Sequence, residues 1–196
     1  MKKIDARRST AFVRLLHAFQ SVERTAHVPD LSRKENDVEH SYLLTMFSWY
    51  LVDTLGLKLD KKKVLEYGLI HDLVEVYAGD TYIFDSEALK SKHEREEKAR
   101  LRIAKEFPEF KDLNSSIKGY EGQKDPEAVF VRTVDKFIPV IINFVQEGHT
   151  WKVMNVGHVD LFAHKREKMG EQKEVRELLE QIIREIEKDW KKYFNF

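Results

Sequence analysis

The chain has 196 residues, enough for one domain with a hydrophobic core, and we assign residues 1–196 to a single domain. Charged residues make up 35% of it and cancel to zero net charge, which gives no field that favours nucleic acid. The lack of cysteine excludes disulfides and cysteine-ligated zinc and indicates a reducing compartment. The start lacks an apolar leader, and no stretch approaches ~20 apolar residues. We therefore expect a cytoplasmic protein without a membrane or nucleic-acid partner.

Long amphipathic runs with few glycines and prolines predict an all-α fold built as a helical bundle. The first helix is predicted from about Asp5 to Glu23. Arg24 would stand at its end, where a cation suits the helix dipole. A loop from Thr25 to Lys34 is expected to follow.

The second predicted helix carries the first candidate functional residue. Asn36 suits the N-cap position, Glu39 suits the capping box, and Gly56 should stop the helix after about Leu55. Its predicted inward face consists of Leu43, Met46, Phe47, Tyr50 and Leu51. His40 shares this face, and such a residue on its own is more often a hydrogen-bonded core histidine than a metal ligand.

The third predicted helix, from about Lys61 to Tyr77, contains the sequence Gly-Leu-Ile-His-Asp-Leu-Val-Glu at residues 68–75. His71 and Glu75 are four residues apart and would share a helix face, which Asp72 would border. Apolar neighbours place this face near the interior, where a carboxylate needs a partner or a metal. Gly68 would allow another helix or a ligand to approach closely.

The remaining chain predicts a loop and four further helices. Asp80 follows the end of the third helix and could lie at the mouth of a site, although a turn-forming role is the simpler interpretation. Residues 81–85 form a candidate lid with exposed aromatics. The helices are predicted at about 87–107, 126–148, 159–169 and 173–193. In the second of these, Asp135 falls among core positions and Pro139 should kink the helix.

Three separate helices thus place metal-binding residue types on inward faces: His40, the pair His71 and Asp72, and Asp135. Two imidazoles and two carboxylates suit a divalent transition metal such as Mn, Co, Fe, Ni or Zn. Such a set leaves coordination positions open, which is typical of a catalytic metal and not of a purely structural one.

Three segments, residues 33–41, 70–80 and 134–136, carry a family resemblance. They resemble HD-domain metal-dependent phosphohydrolases, in the subgroup of bacterial 5'-deoxynucleotidases and their HDDC2-type relatives. The resemblance implies an all-helical bundle whose metal is held by His40, His71, Asp72 and Asp135. It further implies that Glu75 positions or deprotonates the attacking water, that Asp80 assists with the water or the leaving oxygen, and that Arg24 binds the phosphate.

We also expect substrate contacts from Thr25, Arg33 and Lys136. In the characterised bacterial members a tryptophan follows the phosphate-binding arginine, whereas this chain has Thr25, so its sugar preference is expected to differ. The first hypothesis is a phosphomonoesterase acting on (deoxy)nucleoside 5'-monophosphates. The alternatives are an HD hydrolase of a nucleoside triphosphate or cyclic dinucleotide, and a non-enzymatic helical module that a metal stabilises. We expect a homodimer or larger homo-oligomer, because exposed aromatics and an apolar terminal helix offer self-complementary surface.

Overall fold

The computed structural model describes residues 5–79, 86–169 and 172–196 of the chain. These residues form helices joined mostly by short turns, together with one small antiparallel sheet. The elements in chain order are α1 Ala6–Phe19, β1 Glu23–His27, β2 Lys34–Asn36, α2 Asp37–Thr54, α3 Lys61–Ile70, α4 Glu75–Ala78, α5 Ser86–Glu106, α6 Lys111–Gly122, α7 Pro126–Val145, α8 His149–Val153, α9 His158–Lys168, α10 Lys173–Lys188 and a 3-10 helix Trp190–Lys192.

The predicted all-α class is confirmed, and so are several local signals. Asn36 caps α2 and forms the full capping box with Glu39. Gly56 and Gly79 follow helix ends with φ of +64° and +74°, a conformation that glycine adopts without strain. No helix among the described residues combines the length and the apolar character needed to cross a membrane.

Two hydrophobic clusters make up the core. The larger one joins α2, α3, α7, α9 and α10, and the smaller one joins α1, α5 and α6 to the turn after α3. Ile70, the last residue of α3, packs against both clusters. The segment that follows Ile70 therefore lies where the two clusters meet, and it is held there from both sides.

The loop predicted from Thr25 to Lys34 is wrong in part, because its two ends are strands. Glu23 pairs with Asn36 and His27 with Lys34, and an irregularity lies between these pairs. Helix α1 correspondingly ends at Phe19, not near Glu23. Neither strand shows a clear alternation in the sequence, and each forms only because the other supplies its hydrogen bonds, so a local pattern could not reveal the pair.

The single helix predicted from Lys61 to Tyr77 is also wrong, since it breaks after Ile70. The break is a tight turn in which backbone N–H groups donate hydrogen bonds to carbonyls three residues earlier. One of them joins Glu75 N–H to the Asp72 carbonyl at 2.8 Å. Nδ1 of His71 lies 3.0 Å from the Gly68 carbonyl, which an unbroken helix would offer to the amide of Asp72. The imidazole thus takes the place of a helical hydrogen bond, and Glu75 begins a new helix, α4.

Helix α2 turns much of its predicted inward face outward. Leu43, Met46 and Tyr50 are exposed, whereas Leu44 and Leu51 are buried. The helix is apolar on both sides, so the sequence permitted either orientation. The terminal helix α10, in contrast, buries its apolar face in the chain's own core. That face is therefore not available for contact with a second copy.

Gly68 allows the close helix approach that its position predicted. A Cβ at this residue would lie 2.6 Å from Oγ1 and 3.0 Å from Cα of Thr45 on α2. Helices α2 and α3 therefore touch backbone to backbone at this point. The contact brings the His40 and His71 rings to a centroid distance of 5.2 Å.

Candidate active site

Four side chains from three parts of the fold converge at the junction of the two clusters. His40 comes from the first turn of α2, His71 and Asp72 come from the turn after α3, and Asp135 comes from α7. Oδ1 of Asp135 lies 3.0 Å from Nε2 of His40 and 3.9 Å from Nε2 of His71. Nε2 of His71 lies 2.9 Å from Oδ2 of Asp72. The structure thus brings together the four residues that the sequence predicted as metal ligands.

Three of the four residues in this cluster offer donor atoms that are close enough together for one divalent metal ion. His40, His71 and Asp72 each offer a ligand atom within 4.8 Å of the others. In both imidazoles Nδ1 faces an oxygen, Glu35 Oε1 at 3.3 Å for His40 and the Gly68 carbonyl at 3.0 Å for His71, which leaves Nε2 for a metal. Nε2 of His71 is buried and makes no hydrogen bond of standard geometry within the described part of the chain.

The electrostatics of the cluster favour a bound cation. Burial raises the pKa of Asp72 and Asp135, but the imidazoles outweigh it, holding the Asp72 pKa well below its usual range and lowering the Asp135 pKa to about 2. Burial and the charge of Arg24 lower the pKa of His40, but its contacts with Asp135 and Glu35 outweigh them and raise that pKa to about 9. The ionised carboxylates thus favour a protonated His40. A metal ion bound in the cluster would displace that proton.

Arg24 lies directly beside the cluster. Its Nη1 is 2.7 Å from Oδ2 of Asp72 and 3.0 Å from Oδ1 of Asp37, and its Nε is 3.6 Å from Oε1 of Glu35. Sequence reasoning missed Glu35 and Asp37, which are both buried. Asp37 stands in the first turn of α2, where an acidic residue is common for its effect on the helix dipole, and Glu35 carried no local signal.

Glu75 is buried at the start of α4, next to the cluster. It forms a group with Asp37 and Asp72 in which one carboxylate oxygen of each lies within 4.8 Å of the others. Nζ of Lys92 on α5 lies 3.8 Å from Oε1 of Glu75. Asp80 and residues 81–85 lie outside the described residues.

The three further predicted substrate contacts occupy different surroundings. Thr25 follows Arg24 on β1 and is half-buried. Lys136 follows Asp135 on α7, where burial and the charge of Arg132 lower its pKa. Arg33 is exposed and pairs with Glu39, with Nη1 at 2.9 Å from Oε2, so these contacts face the cap of α2 and not the cluster. The substrate role of Arg33 stays a sequence-based prediction.

Lys165 of α9 makes a side-chain contact with the backbone of α7. Its Nζ donates a hydrogen bond of 2.7 Å to the carbonyl of Lys136, one turn before Pro139. A proline lacks the N–H of a helical bond and disturbs the helix around it, so an added donor is useful in this turn. Burial lowers the pKa of Lys165 to about 8, although Asp135 acts against the shift.

The shifted pKa of Lys165 gives a testable dependence of stability on pH. An unfolded lysine has a pKa near 10.4, so between pH ~8 and ~10.4 the unfolded state binds more protons, and unfolding free energy should rise with pH by on the order of 3 kcal/mol. His40 acts in the opposite direction, because its raised pKa lowers the unfolding free energy as pH rises from 6.5 to about 9. We therefore expect the unfolding free energy of wild type to rise more steeply with pH than that of Lys165→Met. Urea melts of the metal-free proteins at several pH values measure this difference. The exposed Lys168→Met is the control, and identical slopes in all three proteins would contradict the assignment.

Comparison with known proteins identifies the family. The family profile described as HD domain matches residues 16–192. The chain belongs to the HD-domain family. The match spans the hairpin, the four converging side chains and the terminal helix, so the candidate site lies entirely within it.

The chain is also similar to named relatives and to solved structures. The human protein named 5'-deoxynucleotidase HDDC2 is 31% identical over 134 residues, which cover 67% of this chain and 64% of the human one. The chain thus matches just under two-thirds of that relative's length. A structure described as a predicted metal-dependent phosphohydrolase from Magnetospirillum magnetotacticum is 27% identical with a TM-score of 0.80, covering 93% of this chain and 92% of its own. A conserved hypothetical protein from Pyrococcus furiosus has the same fold, with a TM-score of 0.65 at 21% identity over 89% of this chain and 99% of its own.

Proposed function

We propose that this HD-domain protein is a metal-dependent phosphohydrolase that converts (deoxy)nucleoside 5'-monophosphates to nucleoside and phosphate. The observation that carries the proposal is the convergence of His40, His71, Asp72 and Asp135, with Arg24 2.7 Å from Asp72. The name of the human relative supports the substrate class. The name of the bacterial structure supports the type of reaction. The cytoplasmic location stays a prediction from the composition.

The chemistry assigns one task to each side chain. A divalent ion held by His40, His71, Asp72 and Asp135 supplies Lewis acidity, which lowers the pKa of a water and offsets charge on the phosphoryl oxygens. Arg24 presents its guanidinium to the phosphate and offsets the charge of the non-bridging oxygens. Glu75, an acceptor with Asp72 as its close neighbour, holds or takes the proton of the attacking water. Asp80 keeps its predicted role toward the leaving 5'-oxygen.

Release of inorganic phosphate from a nucleotide panel tests this function. The purified protein is incubated with deoxy- and ribonucleoside mono-, di- and triphosphates and with cyclic dinucleotides, each with Mn, Co, Zn, Fe or Ni, since the donor set does not distinguish these metals. We expect fastest release from 5'-monophosphates. Preferred cleavage of a triphosphate or cyclic dinucleotide would assign the enzyme to that substrate class instead. If no phosphate is released with any metal, the non-enzymatic module is favoured.

Sugar discrimination should depend on the residue after Arg24. Arg24 contacts phosphate and cannot distinguish sugars, whereas a side chain near C2' and C3' can. Thr25 is smaller than the tryptophan of the bacterial relatives, so we expect weaker preference for deoxynucleotides and measurable activity on ribonucleoside 5'-monophosphates. The measurement is kcat/KM for each deoxy and ribo pair with wild type and Thr25→Trp. Strict deoxy specificity that is unchanged by Thr25→Trp would show that another segment reads the sugar.

The proposed homodimer has a different surface from the one that the sequence suggested. Along α2, Tyr42, Trp49 and Tyr50 remain 66%, 45% and 60% exposed, and Met46 lies between them. A helix that is apolar on all sides is normally covered on all sides. An aromatic side chain contributes roughly 150–250 Å² when fully buried, so this face supplies a large part of the ~800 Å² per partner of a standard interface. A second copy of the same face would cover it in a two-fold dimer.

A charge placed on this face should separate the dimer. We expect wild type to scatter light as twice the 23.2 kDa of one chain, and Trp49→Glu to scatter as a single chain at micromolar concentration. Val145→Glu is the control, because Val145 is an exposed apolar residue on another helix, at the end of α7. A monomeric wild type, or dissociation in the control alone, would contradict the α2 interface.

A further inference from the structure

Glu35 is a buried carboxylate to which the proposed chemistry gives no role. It is the middle residue of β2 and is 6% exposed. The pairing of β1 with β2 brings it close to Arg24 on β1, and the next residue, Asn36, caps the helix that carries His40. The short sheet and the capping box thus bring a strand carboxylate between two residues of the candidate site.

A single oxygen of Glu35 faces both neighbours. Oε1 lies 3.3 Å from Nδ1 of His40 and 3.6 Å from Nε of Arg24. This oxygen is buried and has no hydrogen bond of standard geometry to other described residues. Burial of a carboxylate is unfavourable unless charge or hydrogen bonds compensate it, so the two nitrogens are the groups that keep Glu35 in place.

The contact with His40 determines which ring nitrogen can act as a ligand. In the metal-bound protein, a proton on Nδ1 directed at Glu35 would leave the lone pair of Nε2 free for the ion on the side of Asp135, whose Oδ1 lies 3.0 Å away. His71 is oriented in the same way, but its Nδ1 faces the Gly68 carbonyl. A carboxylate partner also raises the basicity of a ligating imidazole more than a neutral carbonyl does.

The contact with Arg24 contributes to the orientation of its guanidinium. Nε lies 3.6 Å from Glu35, while Nη1 contacts both Asp72 and Asp37, so carboxylates face two nitrogens of the planar group at once. A guanidinium binds phosphate through two parallel N–H groups, and this geometry depends on the orientation of its plane.

We propose that Glu35 is the positioning residue of this site, orienting the His40 ring toward the metal and the Arg24 guanidinium toward the phosphate through one shared oxygen. The proposal builds on the proposed function, since both groups act in it. Glu35 itself touches neither metal nor substrate. Its effect is therefore expected on metal affinity and on substrate binding more than on the chemical step.

Glu35→Gln tests the proposal by keeping the size of the side chain and removing its charge. We expect the Kd for Co²⁺, measured by competition with a chelator, to rise 10- to 100-fold. At saturating metal we expect KM for the best nucleotide to rise about tenfold with little change in kcat. A changed visible absorption spectrum of the Co²⁺ form should accompany these effects, because the orientation of His40 changes.

Two glutamates serve as matched controls. Glu127→Gln removes another buried carboxylate, which pairs with Lys63 and accepts the Asp60 amide. Glu39→Gln removes a charge next to His40 that pairs with Arg33. Both should bind Co²⁺ as wild type does. Wild-type Co²⁺ affinity in Glu35→Gln, or equal weakening in Glu39→Gln, would overturn the proposal.

A measurement on the wild-type protein decides the matter even if Glu35→Gln does not fold. In the Zn²⁺-loaded protein, NMR of the labelled imidazoles should find the His40 proton on Nδ1 and slow to exchange with solvent. A proton on Nε2 of His40 would overturn the proposal. Neither NMR nor Co²⁺ binding requires hydrolysis, so a protein without phosphatase activity would contradict the proposed function and leave this test intact.

Discussion

Glu75→Gln is expected to lower kcat by about 10²- to 10⁴-fold while the protein keeps its fold and its metal. Glu75 is buried beside Asp72 and within 3.8 Å of Lys92, yet it is not one of the four converging ligand candidates. Glutamine has nearly the same shape but cannot accept a proton. The loss should therefore fall on the chemical step, with KM and metal content close to wild type.

The control for this variant is Glu96→Gln. Nζ of Lys92 lies 3.3 Å from Glu96, so this substitution disturbs the same lysine without touching the carboxylate group around Asp72. Phosphate release under saturating metal and nucleotide measures kcat, and metal analysis of the same samples measures occupancy. A wild-type kcat in Glu75→Gln with full metal occupancy would show that another group handles the proton of the water.

His71→Ala and Asp135→Ala are expected to abolish stoichiometric metal binding and to lower activity by at least about 10³-fold. A metal contributes several kcal/mol to stabilising charge in phosphoryl transfer, and ~4 kcal/mol corresponds to about 10³ in rate. The two residues come from different segments, the turn after α3 and helix α7. A shared loss would therefore identify one common site and not two separate structural effects.

His149→Ala controls for the removal of a histidine. His149 packs edge-on against His27. Among the described residues, it belongs to no group of side chains close enough together to hold a metal ion. Metal content is measured by elemental analysis after dialysis, and folding by circular dichroism. Undiminished metal in both His71→Ala and Asp135→Ala would rule out the proposed ligand set, whatever the activity.

The sequence by itself determined the features that depend on near neighbours in the chain. Asn36 and Glu39 form their capping box within four residues, and Gly56 ends α2 through its own backbone freedom. Helical spacing likewise singled out His40, the His71–Asp72 pair and Asp135 as polar residues among apolar ones. Their residue types are intrinsic to the chain, and this is why a metal-dependent site could be predicted before any fold was known.

Only the tertiary structure decided how distant segments meet. Three contacts join residues whose partners cannot be read from the spacing of apolar residues along the chain. They are the β1–β2 pair, the contact of Glu35 with Arg24 and the contact of Lys92 with Glu75. At the break after Ile70, the His71 imidazole replaces a helical hydrogen bond. The packing of Ile70 against both hydrophobic clusters holds the chain in this conformation. Helix α2 is apolar on both sides, so its pattern allowed either face to be buried, and the fit of Thr45 against Gly68 selected one of them.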